Sequence, residues 1–396
     1  MFYNKKTTIV IDKVIHVILS SVFILFGIIL LGCERIQPII PPQESATKIK
    51  IGLIYSPPDP GTTRNGAEIA VALANEAGGI NGVPIELLIR DDKRDGSLSV
   101  RHANDLVAEG VLAIVGPDYS TIAMAIGPIV EQHRIPMVTT YPTNPKVTED
   151  SYYTFMGAYT DPYQGRVMAN FAIKTLEAMS AAVLTEAGST YSEGLSNAFI
   201  RDFTDQGGTI EAHQYYDTAE TDFTDQLVAI AAIDPAVDVV FLAGLGPDFP
   251  LAVKQAKSTE FNISATFLGG DGWDRPDLVQ IGGMAVEGSF FANHFSHGAQ
   301  LSEKGNQFVA AYMERFGIPP DGPAALGYDA ATIVLDAIRR TTDLTPTAIR
   351  DEIERTQHYK GATTLSHFTE NRHAIKSSVI NTIKNGKIQF YQSITL

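Results

Sequence analysis

The sequence predicts an α/β protein with two lobes, each built on a doubly wound parallel β-sheet. Short apolar strands alternate with amphipathic helices, which is typical of a parallel sheet covered by helices on both faces. The alternation runs through residues 49–139 and starts again after residue 160, so it predicts two such sheets. About 350 residues follow the apolar N-terminal segment, a length that suits two domains of ordinary size.

The elements of the first unit follow from hydrophobic periodicity. Residues 64–77 carry apolar side chains at helical spacing and stop at Gly78 and Gly79, residues that commonly end helices. We predict strands at residues 49–55, 84–90, 112–115 and 136–139, and helices at residues 64–77, 97–109 and 120–133.

The second unit begins with a predicted helix at residues 164–179. Its strands are predicted at residues 181–184, 209–213, 237–242 and 266–268, and its other helices at residues 193–206, 222–233 and 249–257. Helical patterns follow at residues 305–316, 324–340 and 347–356, then strands at residues 376–384 and 387–392. Asn385-Gly386 between those last strands is a strong hairpin signal.

We expect the chain to cross between the lobes three times, so that three strands form a hinge. The second crossing falls near Asn293 and the third near Lys376. Lobe one would then comprise residues 48–161 and 294–375, and lobe two residues 162–293 and 376–396. Ligands of such sheets lie beyond the carboxyl ends of the strands. The loops at those ends are therefore the place to search for a site.

The N-terminal segment predicts export and a lipid anchor. Residues 14–31 are almost entirely apolar, follow three lysines, and end at Gly32 before Cys33, the only cysteine of the chain. This pattern is typical of a signal peptide. Gly32-Cys33 resembles the lipobox of bacterial lipoproteins, in which the cysteine is acylated, so residues 1–33 are interpreted as a lipoprotein signal peptide and residues 34–47 as a tether. The alternative is an uncleaved membrane anchor, because about 18 apolar residues just span a bilayer.

Composition and missing motifs disfavour several classes of protein. A formal net charge of −15 opposes binding of nucleic acid through the globular surface. Neither a G-x-S-x-G elbow nor a G-x-x-x-x-G-K-[ST] loop is present. His294 and His297 lack neighbouring ligand residues and are interpreted as surface histidines. We expect neither an enzyme nor a bound metal or cofactor.

Two loops of the first unit carry candidate ligand residues. Ser120 and Thr121 stand where a strand passes directly into a helix, so the unpaired N–H groups there suit a carboxylate. The alternative is that one of these hydroxyls only caps the helix. Tyr141 and Thr143 follow the next strand, where Pro142 keeps the chain non-helical and leaves carbonyl and hydroxyl oxygens free to accept hydrogen bonds. The alternative for this loop is a structural turn.

The second unit offers a carboxylate and aromatic side chains. Asp271 lies between two glycines, Trp273 follows two residues later, and Tyr191 lies in a loop rich in small residues. A carboxylate that faces a cleft favours a cation such as an ammonium group. An anion site in one lobe and a carboxylate in the other predict a pocket for a zwitterion.

Several segments together resemble the leucine/isoleucine/valine-binding family of type I periplasmic solute-binding proteins. They are residues 49–54 (IKIGLI), 65–70 (NGAEIA), 75–82 (NEAGGING), 90–92 (RDD), 113–116 (AIVG), 134–137 (RIPM), 191–194 (YSEG) and 221–223 (TDF). The resemblance extends from Lys48 to the C-terminus. It implies the two-lobed type I fold and capture of an amino acid for an ABC-type permease.

The resemblance also implies roles for single residues. The position of Ser120 binds the ligand carboxylate, and the Tyr141 carbonyl, the Thr143 hydroxyl and Asp271 receive the ammonium group. Tyr191 packs against the ligand. The chain departs from the family at Asp271, where glutamate is common, and Tyr163 takes a cleft position that is often acidic.

We expect a membrane-anchored lipoprotein on the periplasmic face or cell surface that binds a branched-chain or related amino acid and presents it to an ABC permease. Its partners would be the ligand, the permease and, through lipid on Cys33, the membrane. On the same fold, the alternatives are a ligand-sensing receptor or a binder of urea, amides or aromatic acids. From another class, the alternative is a structural envelope lipoprotein that acts through protein contacts.

Overall fold

The computed structural model describes residues 48–56 and 62–394. The predictions for the signal peptide, Cys33 and the tether lie outside these residues. Among the described residues, no helix has both the length and the hydrophobicity needed to cross a bilayer.

Strands and helices alternate along the described chain. The strands are β1 (Ile49–Tyr55), β2 (Ile85–Asp91), β3 (Ile114–Val115), β4 (Met137–Thr139), β5 (Thr154–Met156), β6 (Ser180–Glu186), β7 (Thr209–Tyr216), β8 (Val239–Ala243), β9 (Thr266–Gly269), β10 (Phe290–Asn293), β11 (Gln357–Lys360), β12 (Thr364–His367), β13 (Ser378–Lys384) and β14 (Lys387–Ile394). The α-helices are α1 (Thr62–Glu76), α2 (Gly96–Ala108), α3 (Ser120–His133), α4 (Asp161–Lys174), α5 (Thr190–Asp205), α6 (Thr224–Ala231), α7 (Asp248–Ala256), α8 (Pro276–Gly282), α9 (Glu303–Phe316), α10 (Gly322–Arg340) and α11 (Pro346–Glu354).

The predicted α/β class with two sheets is confirmed. The first sheet has the order β2-β1-β3-β4-β5 and is parallel throughout. The second has the order β14-β13-β10-β9-β8-β6-β7, in which β13 runs antiparallel to β10 and β14. The tight turn at Asn385-Gly386 explains why β13 and β14 are antiparallel, because a short hairpin can join only antiparallel strands.

The chain passes between the two layered units three times: between β5 and α4, after β10, and before β13. Between the last two passages it forms α9, α10 and α11, whose side chains pack into the same apolar core as β1. Helix α10 is buried along nearly its whole length, from Gly322 to Ile338. The second sheet has its own apolar cores on its two faces.

The elements that the sequence did not predict are short or polar. Strand β5 has three residues, and β11 and β12 expose most of their side chains, so none of them shows an apolar period. Helix α4 begins at Asp161, three residues earlier than predicted, because Pro162 suits the first turn of a helix.

Two glycines allow α1 and α10 to approach closely. A Cβ atom on Gly66 would collide with the Ala324 carbonyl oxygen, and one on Gly327 with the Thr63 carbonyl oxygen. We expect Gly66→Ala to lower the free energy of unfolding by about 1–3 kcal/mol, because backbone cannot yield as a side chain does. Urea unfolding followed by circular dichroism measures this change.

The matched control is Gly127→Ala in α3, where an added Cβ would have no heavy atom within 4 Å apart from its chain neighbours and the backbone of its own helix. Alanine there should leave stability unchanged or raise it by up to about 1 kcal/mol through helix propensity. Equal effects of the two substitutions would contradict the close-packing explanation.

Candidate functional site

Ser120 opens α3 at the carboxyl end of β3 and is buried. The residue before it, Tyr119, is the N-cap and makes no side-chain capping bond. The Ser120 hydroxyl oxygen instead accepts hydrogen bonds from the backbone N–H groups of Thr143 and Asn144, each at 3.3 Å. Ser120 is therefore not the helix cap, and it ties the loop after β4 to the start of α3.

Next to this junction lie polar atoms without hydrogen-bond partners. Thr143 and Asp161 are fully buried, and the Asp161 N–H donates to the Thr143 carbonyl at 2.8 Å. Among the described residues, neither the Thr143 hydroxyl nor either Asp161 carboxylate oxygen has a hydrogen-bond partner. Burial raises the pKa of the Asp161 carboxyl well above its usual value, and the charge of Asp271 adds to the rise. The side chains of Thr143 and Asn144 lie close enough to lower this pKa, although neither makes a hydrogen bond of normal geometry to the carboxylate.

Sequence reasoning missed Asp161 as a site residue. The signal was an acidic residue directly before Pro162 at a helix start, which is common for purely structural reasons. Only the fold shows that its carboxylate lies beside Thr143.

Asp271 differs from Asp161 because internal donors surround its carboxylate. Its Oδ1 accepts hydrogen bonds from Gln164 Nε2 at 3.1 Å, the Tyr191 hydroxyl at 2.8 Å and the Gly272 N–H at 3.1 Å. Its Oδ2 lies 2.9 Å from Nε2 of His294. The carboxylate thus holds Tyr191, a predicted ligand contact, in a fixed position.

His294 is buried, so its interpretation as a surface histidine is wrong. Its ring stacks on Tyr159 with centroids 3.6 Å apart and meets the edge of Tyr141 at 5.8 Å. Burial lowers the pKa of His294 to about 4, against the opposing effect of Asp271. The imidazole is therefore neutral at pH 7, and because a carboxylate only accepts hydrogen bonds, Nε2 carries the proton.

Tyr141 links the loops that follow strands of the two sheets. Its hydroxyl donates to the Asp271 carbonyl oxygen at 2.6 Å. Burial, followed by the charge of Asp271, raises the pKa of Tyr141 well above its usual value, so the phenol stays protonated and remains a donor. A second link runs from Nδ2 of Asn144 to the Thr190 carbonyl at 2.9 Å.

The remaining predicted residues fall in different surroundings. Thr121 is exposed and, with Ser120 and Tyr191, lines a recess of about 470 Å³ between α3 and the start of α5, here called the outer recess. Trp273 is fully buried in the core of the second unit, stacked on Phe249. Tyr163 packs against Tyr159 at the first crossing. The structure thus gathers Ser120, Thr121, Tyr141, Thr143, Tyr191 and Asp271. It places Trp273 in an apolar core and Tyr163 in aromatic packing against Tyr159.

Three further carboxyls near the cleft, Asp118, Asp274 and Asp321, have raised pKa values, chiefly through burial. The pKa of Asp118 and that of Asp274 rise to about 6, and that of Asp321 to about 7. Each of these three carboxyls therefore binds a proton more tightly in the folded protein than in the unfolded chain, where the usual pKa is 3.8. His294 acts in the opposite sense, since its folded pKa lies below 6.5.

We expect the free energy of unfolding to fall as pH rises from 5.5 to 7.5, because the raised pKa values of these three carboxyls and of Asp161 outweigh the lowered pKa values of His213, His294 and His373. Urea midpoints at the two pH values measure this trend. An Asp118→Asn variant should show a shallower pH dependence, and a midpoint that rises with pH would contradict the assignment.

This geometry can now be compared with known proteins. The family model for periplasmic binding proteins matches residues 48–387. The chain belongs to the periplasmic binding protein family. The match covers every site residue described above and all strands of the two sheets except β14, of which it includes only the first residue.

Solved periplasmic binding proteins share the fold. The crystal structure of the leucine-binding protein LivK from Thermotoga maritima is 34% identical, with a TM-score of 0.81 over 87% of this chain and 98% of that one. LivJ from Streptococcus pneumoniae, a branched-chain amino acid transporter substrate-binding protein solved in complex with isoleucine, is 26% identical, with a TM-score of 0.80 over 87% of this chain and 99% of that one.

A curated relative agrees with these structures. The Leu/Ile/Val-binding protein homolog 3 of Brucella melitensis is 29% identical over 279 residues, which cover 70% of this chain and 73% of the relative. The predicted resemblance to the family and its type I fold are confirmed.

Proposed function

We propose that this chain is an extracytoplasmic solute-binding protein that captures an amino acid between its lobes and delivers it to an ABC-type permease. The observation that carries the proposal is that groups suited to an anion and groups suited to a cation lie on the two sides of Ser120. On one side a helix begins without a side-chain cap, and on the other the Thr143 hydroxyl and the Asp161 carboxylate are buried without hydrogen-bond partners among the described residues. A zwitterion supplies groups of both signs to such a site.

The carboxylate and the ammonium group of the ligand each have their own partners in this site. The ligand carboxylate accepts hydrogen bonds from the first N–H groups of α3 and from the Ser120 hydroxyl, and the helix dipole favours its negative charge. The ligand ammonium group donates to Thr143, to the Tyr141 carbonyl and to Asp161. An ionised carboxylate buried without a partner is costly, so this ion pair stabilises the complex.

The second lobe supplies closure. Tyr191, held by Asp271, covers the ligand from that side, and Tyr141 and Asn144 form hydrogen bonds from lobe one to lobe two. Because these bonds join the lobes, opening the hinge would break them. Ligand contacts made in both lobes therefore favour the closed form. Binding and closure, rather than a chemical reaction, account for the site.

The experiment is calorimetric titration of the full chain in detergent micelles, freed of bound ligand by unfolding and refolding, with the twenty amino acids, urea and benzoate. At least one amino acid should bind, and Ser120→Ala should weaken it by about 1.5–3 kcal/mol through loss of a hydrogen bond to a charged group. Ser97→Ala, on the exposed face of α2, is the control. Binding of urea or benzoate alone would contradict the zwitterion site, and binding of none of them would contradict the proposed function.

We also propose that Cys33 carries the lipid anchor, on the sequence pattern of residues 14–33. Cells grown with a radiolabelled fatty acid should label the protein, and Cys33→Ala should abolish the label. A label that persists in Cys33→Ala would contradict the lipobox.

A further inference from the structure

Two further spaces adjoin the outer recess, and together they are here called the compartment. The contacts proposed above for the carboxylate and ammonium groups of the ligand do not involve them. Tyr119 and Leu245 line the outer recess and also a smaller cavity of about 40 Å³, here called the inner cavity. The inner cavity is bounded by Tyr141 and Gly272, next to the proposed backbone-binding residues. It shares Asp274 and Arg275 with a third recess of about 200 Å³, the far recess. The three spaces are therefore adjacent, and the inner cavity and the far recess are candidates for the space that receives the side chain of a bound amino acid.

Buried carboxylates interrupt the otherwise mainly apolar walls of the inner cavity and the far recess. Asp118 and Asp274 line the inner cavity and are buried, with 8% and 7% of their surfaces exposed. Asp274 and Asp321 line the far recess. A pocket for a branched aliphatic side chain would not place these carboxylates in its walls, because each buried charge is costly beside hydrocarbon.

The hydrogen bonds of these carboxylates come from neutral groups. Asp118 accepts from the Ser56 N–H at 3.0 Å and the Thr140 hydroxyl at 2.7 Å. Asp274 accepts from Nδ2 of Asn293 and the Gly322 N–H, each at 2.6 Å. Asp321 accepts from the Ala324 N–H at 3.0 Å.

No ion pair with a lysine, arginine or histidine of the described chain neutralises any of the three carboxylates. Arg275 is the one lysine or arginine among the described residues that line the inner cavity and the far recess, and its Nε and Nη2 bind the two carboxylate oxygens of Asp277. Its Nη1 donates to the Leu245 carbonyl. The compartment is therefore electronegative.

Two hydroxyls point to a ligand in the same place. Thr63 lines the inner cavity and Thr62 the far recess, and both residues are buried, with 0% and 3% of their surfaces exposed. Neither hydroxyl oxygen makes a hydrogen bond of normal geometry to a described residue, although Thr63 lies close enough to Asp118, and Thr62 to Asp321, to lower the pKa of those carboxyls. Buried hydroxyls without partners are uncommon in folded proteins, and a polar ligand group would supply the missing bond.

We propose that the side chain of the ligand is cationic, so that the protein binds a basic amino acid with an ammonium or guanidinium group near Asp118, Asp274 and Thr63. This inference rests on the proposed function, since it assumes that an amino acid occupies the site. A cationic head donates several hydrogen bonds to carboxylates, and charge-assisted bonds of this kind are the strong ones. A leucine or isoleucine side chain would leave the same carboxylates buried beside hydrocarbon.

The test is competition among amino acids that differ only in the side chain. The refolded full chain in detergent micelles is titrated with lysine, arginine, leucine, isoleucine and glutamate at pH 7.5. We expect lysine or arginine to bind at least tenfold more tightly than leucine or isoleucine. A higher affinity for leucine or isoleucine would overturn this inference and leave the proposed function standing, whereas binding of no amino acid would overturn both.

Two variants test whether the expected preference for a basic amino acid depends on the residues that line the inner cavity. Asp118→Asn should lower the ratio of lysine affinity to leucine affinity at least tenfold, and Thr63→Val, which keeps the side-chain shape, should lower it several-fold. Thr63→Val removes no charge, so it serves if Asp118→Asn does not fold. Asp205→Asn, on the exposed side of α5, is the control and should leave the ratio unchanged. A ratio that neither variant alters would also overturn the assignment.

Discussion

An Asp161→Asn variant is expected to lose about 2–5 kcal/mol of amino-acid binding free energy, because it removes one partner of a buried charge pair. This loss corresponds to an affinity roughly 30-fold to several thousand-fold lower. Asparagine has nearly the same shape, but its amide lacks the negative charge that the ligand ammonium group requires. Calorimetric titration of the two proteins with the same amino acid measures the difference.

Stability separates this binding role from a structural one. The Asp161 carboxylate is fully buried without a hydrogen-bond partner among the described residues, so removing its charge should leave the ligand-free protein at least as stable. Thermal unfolding of the ligand-free variant provides this control, and Asp205→Asn provides the matched exposed substitution. Unchanged affinity in Asp161→Asn, or equal losses of affinity and stability, would contradict the proposed ammonium contact.

Replacing Trp273 by alanine is expected to lower the free energy of unfolding by about 3–5 kcal/mol. The indole is fully buried, stacks on Phe249 with centroids 5.1 Å apart, and donates from Nε1 to the Leu242 carbonyl at 3.0 Å. Alanine leaves a large cavity and an unsatisfied carbonyl. Urea unfolding should be followed by circular dichroism, because the variant loses the only tryptophan of the chain.

A Trp273→Phe variant distinguishes core packing from ligand contact. Phenylalanine fills most of the space, so we expect a smaller loss of stability and an amino-acid affinity close to that of the original protein. If Trp273→Phe instead kept its stability and lost affinity, the ligand contact first predicted for Trp273 would be supported and its core role contradicted.

Most of the order of strands and helices could be predicted from the chain, because the longer buried strands and the helices leave a period of apolar residues. Ser120 and Thr143 could be identified as candidates for the same reason: they follow predicted strands, and the ends of parallel strands face one edge of the sheet. The three-residue β5 could not be predicted, since so short a segment has no period. The four-residue strand β10 and the seven-residue helix α8 were not predicted, because they are too short to show one.

The roles of single side chains were harder to predict from the sequence. Asp271 stands out between two glycines, yet its neighbours in space, Gln164 and His294, lie 107 and 23 residues away in the chain. Nothing local marks His294 as buried, and its stacking on Tyr159 depends on two separate hinge crossings. Trp273 beside a glycine-rich loop suggests a ligand contact, but the indole turns into the core.

The sequence by itself determined the α/β class, the two sheets and the family, since these depend on periodicity and on local motifs that survive in a linear chain. Only the tertiary structure decided which carboxylate has internal partners and which lacks them. Asp271 is surrounded by donors, Asp161 has none among the described residues, and Asp118 and Asp274 meet in one compartment. The physical reason is that the energy of a buried charge depends on the groups within a few ångströms of it, and folding brings those groups from distant parts of the chain.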